Sequence, residues 1–241
     1  MNSAAIRTCA RGEIQDDAVD LSEFSQPTIS LVCKEVALAI IGHRGQWKKC
    51  LHPTVNKTVS LLIFMQYVAL VKKGYSSINV QIVSNEKLEI MDKVAHWRGS
   101  THDSRIFNES RLKQRFEGGE FKGRLLGDSG YACTPYLFTP VLHPATIKEE
   151  MYNRAHIHTR NSVERCFGVW KQRFRCLLRV FTTKLDNTKL YIVTLAILYN
   201  IAMQKQDLVP EAVESSVPVT KALNNTLRGN VARAAFINEN F

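Results

Sequence analysis

Helical periodicity dominates the first part of the chain. Two runs with apolar residues at three- and four-residue intervals flank residues 25–28, within residues 14–41. Ser25 can cap the second helix, and Pro27 suits its first turn. The apolar face of this second helix contains Ile29, Val32, Cys33, Val36 and Ile40. The pattern predicts either a helix-turn-helix, whose second helix enters a DNA major groove, or a simple packed helical hairpin.

The patterns that follow indicate strands. Residues 42–58 are basic and irregular, which is typical of a linker. Residues 61–71 are continuously apolar, which fits either a buried strand or a short buried helix. Residues 77–83 alternate between apolar and polar side chains, and residues 88–97 follow after a polar turn. These last two segments predict an antiparallel hairpin.

A helix and a short strand are predicted after the hairpin. Residues 100–103 are expected to cap a helix that runs through Ile106, Leu112 and Phe116 and stops at Gly118. Residues 124–128 are then expected to form a short apolar strand that ends at a carboxylate.

Two long helices are predicted beyond a loop rich in proline. The first begins near Tyr152 and runs to about Phe174, the second covers residues 184–203, and a loosely ordered polar tail follows. The order strand, strand, helix, strand, helix predicts an α/β fold with a mixed sheet flanked by helices. An RNase H-like core fits this order if one more strand precedes the hairpin.

Charge and cysteine content narrow the class of protein. The 241 residues carry a formal net charge of +10, which makes a polyanion such as nucleic acid a plausible partner because clustered cations release its counterions. The charge alone does not identify the partner, and an ordinary basic intracellular protein is the alternative. The six cysteines form no CxxC pair and the chain opens without a leader-like segment, so a reducing compartment is expected. The longest apolar runs are shorter than a membrane span, so no membrane association is expected.

Two carboxylates are the strongest candidates for chemistry. Asp128 ends a predicted strand, and Glu164 lies among arginines on a long helix. Carboxylates in such places can bind the divalent metal that phosphodiester hydrolysis needs. The structural alternatives are a turn-forming Asp128, a Glu164 that pairs with Arg160 or Arg165, and an Asp103 that only caps a helix. A zinc site would have to use histidines whose spacing matches no familiar pattern, namely His96, His102, His156 and His158.

Four ordered sequence blocks resemble the DDE endonuclease domain of the PIF/Harbinger transposase-derived family. They are residues 73–81, 97–104, 125–131 and 153–168, the last ending in VERCFG. Residues 228–241 resemble the end of that family's sequence, and residues 13–39 resemble the helix-turn-helix element that precedes its nuclease domain.

The resemblance implies a fold, a chemistry and partners. It implies an RNase H-like nuclease that binds a divalent metal, Mg²⁺ or Mn²⁺, and cuts DNA. At the matching positions Asp128 and Glu164 would be the second and third catalytic acids and metal ligands, and Asp103 an auxiliary metal-binding acid. The cations around Glu164 would hold DNA phosphates, and these are Arg160, Arg165, Lys171 and Arg175. The family also implies location in the nucleus, or else the cytoplasm, and a separate Myb-like DNA-binding partner.

One expected acid is missing from the sequence. The family carries its first catalytic aspartate on the first core strand, but residues 42–71 contain no Asp or Glu. We therefore expect a metal-dependent DNA endonuclease of transposase origin that this loss could inactivate, with a catalytically dead DNA-binding or adaptor protein as the alternative. The expected organisation is a helix-turn-helix-like segment (1–47), a linker and apolar segment in place of the first core strand (48–71), the endonuclease domain (72–204) and the tail (205–241).

Overall fold

The structure is a computed structural model that describes residues 26–43, 60–71, 76–121, 123–179, 181, 183–207 and 225–241. These residues form a five-stranded sheet with the spatial order β3-β2-β1-β4-β5. The strands are β1 (Ser60–Val71), β2 (Ser76–Ser84), β3 (Ile90–Arg98), β4 (Arg124–Leu126) and β5 (Leu137–Phe138). The pairs β1–β2 and β2–β3 are antiparallel, whereas β1–β4 and β4–β5 are parallel. The predicted α/β fold with a mixed sheet is confirmed.

Helices lie on both sides of this sheet. They are α1 (Gln26–Gly42), α2 (Asp103–Asn108), α3 (Arg111–Glu117), α4 (Ile147–Arg173), α5 (Leu185–Gln204) and α6 (Leu227–Asn240), and a 3₁₀ turn (Arg175–Leu178) follows α4. Neighbouring residues of β2 point to opposite faces of the sheet. Ile82 packs in the core formed with α1, α4 and α5, whereas Val83 packs in a second core with α2 and α3. No helix in the described ranges is long and apolar enough to cross a membrane.

The apolar run 61–71 is a strand, which resolves the choice that periodicity left open. β1 lies in the middle of the sheet, antiparallel to β2 and parallel to β4, with Leu62 level with Leu126. It provides the additional strand before the hairpin that the predicted topology required. Helices cover both faces of the sheet, and this explains why residues 61–71 of its central strand are apolar apart from Gln66 rather than alternating.

The second helix of the predicted N-terminal pair is α1. Val32, Cys33 and Ala37 are buried, and the Thr194 hydroxyl of α5 lies 3.4 Å from the Ala37 carbonyl oxygen, to which it donates. α1 therefore packs on α5 through the predicted apolar face. The first helix of that pair and most of the basic linker lie outside the described residues.

The prediction of a single helix after the hairpin is wrong, because this segment forms two helices, α2 and α3. Ser110 separates α2 from α3: its hydroxyl accepts a hydrogen bond from the Lys113 amide at 3.2 Å and donates to the Phe107 carbonyl at 2.7 Å. The N-cap of α2 is His102, which lies within the predicted capping segment 100–103, but its side chain makes no capping hydrogen bond. The predicted stop at Gly118 is confirmed.

The long helix α4 begins five residues earlier than predicted. Thr146 caps it through the Glu149 amide, and the Glu149 side chain bonds back to the Thr146 amide, forming a capping box. The predicted polar tail also differs, since it ends in the ordered helix α6. Helix α6 packs against α4 and β5 through contacts such as that of Phe236 with Phe138, whose ring centroids lie 5.5 Å apart.

Candidate active site

Asp128 is fixed at the carboxyl end of β4. The strand buries Leu125 completely, and the Gly127 amide donates to the Phe138 carbonyl on β5 at 2.9 Å. Immediately afterwards the Asp128 carboxylate accepts the Gly130 amide at 2.8 Å, and the Tyr131 amide donates to the Asp128 carbonyl at 3.2 Å. These bonds form a tight turn that holds the carboxylate where strand β4 ends.

Asp103 is positioned from β2 through a short loop. The side-chain amide of Asn79, which is 2% exposed, donates to the carbonyl oxygens of Thr101 at 2.7 Å and Gly99 at 3.3 Å. The Gly99 amide in turn donates to the Ser77 carbonyl at 2.7 Å. Because this loop leads directly into α2, its attachment to β2 determines where the first residue of that helix, Asp103, lies.

The structure brings Asp103 and Asp128 together. Burial first, and then repulsion from Asp128, raise the pKa of Asp103 to about 6, although His102 and a backbone hydrogen bond act in the opposite direction. The two carboxylates meet over Gly130. A Cβ atom on Gly130 would lie 3.0 Å from Asp128 Oδ1 and 3.9 Å from Asp103 Oδ2. A side chain at this position would intrude between the carboxylates, so glycine leaves the space beside both of them open.

Tyr131 lies close enough to both carboxylates to feel their charge. It is 1% exposed, and its ring packs edge-on against Phe107 with 6.0 Å between centroids. Burial, together with the charges of Asp103 and Asp128, raises the pKa of Tyr131 far above its usual range. The phenol is therefore neutral, and within the described residues its hydroxyl has no hydrogen-bond partner.

Glu164 has a different environment. It forms an ion pair on α4 with Arg160, Nη2 to Oε1 2.6 Å, and the two side chains are only 17% and 18% exposed. No group of three His, Cys, Asp or Glu side chains that could hold a metal is found among the described residues. The predicted metal ligands Asp103 and Asp128 therefore form a pair, without a three-acid cluster that includes Glu164. The four histidines considered for zinc form no such group either.

The four predicted phosphate-binding cations differ in accessibility. Arg165 and Arg175 are exposed. Lys171 is half-buried with its Nζ 5.9 Å from the Phe167 ring centroid, and burial lowers the pKa of its ammonium group. Arg160 is engaged with Glu164. Arg165 and Arg175 are thus the two of these four cations that a DNA backbone can reach directly.

Sequence reasoning missed the residues that support the site. Asn79 was read only as part of an alternating strand, and Tyr131 only as part of a motif. The sequence contained a signal for Asn79, because asparagine is disfavoured inside strands. The structure shows that both Asn79 and Gln81 are buried in β2. His156 had been considered only as one of four possible zinc ligands. It is buried at the ends of β4 and β5, with its Nε2 3.3 Å from the Phe138 carbonyl oxygen.

The fold and site define an α/β protein with a pair of acids at the carboxyl end of a sheet strand. Residues 63–200, more than half of the chain, match the DDE superfamily endonuclease family. The chain belongs to this family.

The chain is also similar to curated proteins derived from Harbinger transposases. It is 36% identical over 107 residues to human HARBI1, named as a candidate nuclease, and this match covers 44% of the chain and 31% of that protein. With the Xenopus laevis HARBI1 it is 30% identical over 150 residues, covering 60% of the chain and 43% of the relative. With an ALP1-like protein of Arabidopsis thaliana it is 24% identical over 148 residues, covering 54% and 36%.

These matches confirm the resemblance to the PIF/Harbinger transposase-derived nucleases. The chain spans about a third of the length of the mammalian relatives it matches. No solved structure matches it significantly.

Proposed function

We propose that the chain is a metal-dependent DNA endonuclease of transposase origin, which hydrolyses phosphodiester bonds with a divalent cation held by Asp103 and Asp128. The observation that carries this proposal is the convergence of the two carboxylates over Gly130. Burial and the charge of Asp128 disfavour ionisation of Asp103, and a bound cation would remove that cost to the folded protein. A carboxylate held in such an unfavourable environment is typical of a functional site.

The residues present fit a single Mg²⁺ or Mn²⁺ ion. Magnesium commonly uses one or two carboxylates and fills its remaining positions with water and phosphate oxygens. Such an ion would stabilise the charge that develops on a phosphate oxygen during hydrolysis. Asn79 and the Asp128 turn orient the two ligands. The third predicted acid, Glu164, is paired with Arg160. To act at this site, its carboxylate would have to break that ion pair or bind the metal while keeping it.

We further infer that the sheet is an RNase H-like core. Three antiparallel strands followed by two short parallel strands, in the order β3-β2-β1-β4-β5, support this inference. A helix-turn-helix at residues 1–47 remains part of the proposal, and α1 is its described half.

A catalytically dead DNA-binding protein on the same fold is the second candidate. The sequence of β1 favours this candidate, because β1 runs parallel to β4 and contains no acidic residue. Leu62 is level with Leu126, and two positions further along the two chains are Phe64 and Asp128. The strand next to β4 thus offers no acidic residue as a partner for Asp128.

DNA binding is proposed for both candidates. The exposed Arg165 and Arg175 would contact phosphates directly, whereas Lys171 and Arg160 would contribute to the positive potential from partly buried positions. We place the protein in the nucleus, where a Myb-like partner could supply sequence recognition that this basic surface lacks.

Manganese binding followed by plasmid nicking tests the proposed activity. Wild type is compared with Asp128→Asn and Glu164→Gln, and with Asp186→Asn as a control, because Asp186 is 93% exposed in a surface ion pair on α5. Binding and nicking that Asp128→Asn abolishes and Asp186→Asn leaves intact support the nuclease. DNA retention without nicking, equal in wild type and Asp128→Asn, overturns the nuclease in favour of the binding protein.

Glu164→Gln separates two roles for the third acid. If Glu164 only holds Arg160, the variant keeps manganese affinity and loses thermal stability. If it contributes to catalysis, nicking falls by orders of magnitude while stability changes little, because removal of a catalytic carboxylate acts mainly on the transition state.

A further inference from the structure

The N-terminus of α6 binds to the chain five residues beyond Asp128. The Cys133 amide donates to Asn225 Oδ1 at 2.9 Å. The Cys133 carbonyl accepts two hydrogen bonds from Thr226, one from its amide at 3.1 Å and one from its hydroxyl at 2.8 Å. Both polar groups of one buried peptide segment are thus satisfied by residues that lie more than ninety positions later in the chain.

Gly229 makes this contact close. A Cβ atom at Gly229 would lie 2.5 Å from the carbonyl carbon of Cys133 and 2.7 Å from Thr134 Cα. No side chain fits there unless the backbone moves, since these neighbours are main-chain atoms. The first turn of α6 therefore lies directly on the Cys133–Thr134 backbone, and the Thr226 hydroxyl also caps that turn by accepting the Gly229 amide at 3.0 Å.

Arg233 holds the other end of the same segment. Its guanidinium is buried and donates to the Thr139 carbonyl at 2.9 Å and the Pro140 carbonyl at 3.0 Å, just after β5. These carbonyls follow the strand that pairs with β4. Helix α6 thus fixes the segment 128–140 at two places, one beyond the Asp128 turn and one beyond β5.

We propose that α6 is a positioning element of the carboxylate site, with Thr226 and Gly229 fixing the Asp128 turn through the Cys133 peptide. The hydrogen bonds described above for this turn are short-range, from the Gly130 and Tyr131 amides to Asp128. Its orientation relative to Asp103 depends on the packing of Tyr131 on Phe107 and on what holds the chain after Tyr131, where Cys133 is bonded to Asn225 and Thr226. The effect on metal affinity rests on the proposed function, whereas the effect on the turn does not.

Thr226 offers a matched test in the full chain. Thr226→Val keeps the shape of the side chain but loses the hydroxyl, whereas Thr226→Ser retains it, and Val231→Ala on the exposed side of α6 is the control. Amide hydrogen exchange is measured at Gly130 and Tyr131, with Ile90 as a reference because its amide is held at 2.9 Å by Asn200 on α5. Manganese affinity is measured on the same four proteins.

We expect Thr226→Val to accelerate exchange at Gly130 and Tyr131 about tenfold without changing Ile90, since a local opening leaves distant amides protected. Manganese affinity should fall roughly threefold to tenfold, by loss of ligand orientation. Thr226→Ser should restore both quantities, and Val231→Ala should leave them unchanged. Exchange at Gly130 and Tyr131 that is the same in Thr226→Val and wild type overturns the proposal.

Failure of the proposed function can be distinguished from failure of this inference. If wild type binds no manganese, the metal proposal is wrong, and the exchange measurement still decides whether α6 positions the turn. If manganese binds to wild type and Thr226→Val with equal affinity, α6 does not position the site. Gly229→Ala is a stronger perturbation of the same contact, and should it not fold, the Thr226 pair still gives the answer.

Discussion

The side chain of Asn79 is bonded to the backbone of Thr101: its amide nitrogen lies 2.7 Å from the Thr101 carbonyl oxygen. This bond joins a buried position of β2 to the loop that carries Asp103. The orientation of one acid of the site therefore depends on a neutral side chain that no metal or substrate would touch.

Asn79→Asp should destabilise the protein strongly. The substitution replaces a donor that serves two carbonyl oxygens with a buried carboxylate that repels them, so we expect a loss of roughly 2–3 kcal/mol. Urea unfolding at pH 7 measures it. Asn108→Asp is the control, since Asn108 is exposed, and it should change stability by less than about 0.5 kcal/mol. Equal effects of the two substitutions would refute a role for Asn79 in holding the loop.

Asp103→Asn should stabilise the metal-free protein at neutral pH. The pKa of Asp103 is raised to about 6 from 3.8, so the folded state binds its proton more tightly than the unfolded state does. The associated stability is present below about pH 4 and lost as pH rises through 6. Because the carboxyl is only partly buried, we discount the effect to about 1 kcal/mol, or 2–4 °C in Tm.

Thermal unfolding between pH 4 and 7.5 checks this prediction. The variant should gain over wild type as pH rises, and added Mn²⁺ should reverse the order by stabilising wild type only. A Tm difference that does not depend on pH would contradict the raised pKa of Asp103.

Much of the fold could be predicted from the sequence, because strands, turns and helix ends are indicated by local sequence patterns. Alternation at residues 77–83 defined a hairpin, and Gly118 ended a helix where predicted. The site was harder, because its geometry depends on contacts between distant segments. Asp103 and Asp128 could each be identified from a motif. Their proximity, however, depends on the hydrogen bond of Asn79 and on the strand order, and neither produces a periodic pattern in the sequence.

Helix α6 shows a different reason for failure. Residues 227–240 contain polar side chains and only a narrow apolar face, so periodicity predicted a tail. The helix is stabilised instead by specific contacts, those of Thr226 with Cys133 and of Arg233 with Thr139. By contrast, the early start of α4 was a missed local signal, since Thr146 and Glu149 have the spacing of a capping box.

Gly130→Ala should weaken metal binding more than it weakens the fold. The backbone of Gly130 is not in the left-handed region, so alanine is conformationally allowed, but its Cβ would press against Asp128 Oδ1 at 3.0 Å. We expect a loss of stability of no more than about 1 kcal/mol and a fall in Mn²⁺ affinity of roughly tenfold. Calorimetric titration with Mn²⁺ gives the affinity. Gly42→Ala is the matched control, because a Cβ there meets nothing within 4 Å, and a similar loss of affinity in that variant would contradict the prediction.

His156 should make the protein sensitive to acid. It is 3% exposed, and burial, opposed by a hydrogen bond with the Phe138 carbonyl, lowers its pKa from 6.5 to about 4, with Arg160 and Arg233 also disfavouring its charge. The unfolded chain therefore binds a proton in a range where the folded protein does not. Stability should fall by about 3 kcal/mol as pH drops from 6.5 to 4, the opposite direction to the effect of Asp103.

Urea unfolding at pH 7 and pH 4.5 measures the contribution of His156. His156→Gln, which has no imidazole to protonate, should lose markedly less stability between these pH values than wild type, even if it is less stable at pH 7. His158→Gln is the control on the exposed side of the same helix, α4, and should follow the wild-type pH dependence. If His156→Gln and wild type lose the same stability on acidification, the buried imidazole is not the source of the acid sensitivity, and other groups that are neutral only in the folded state must be responsible.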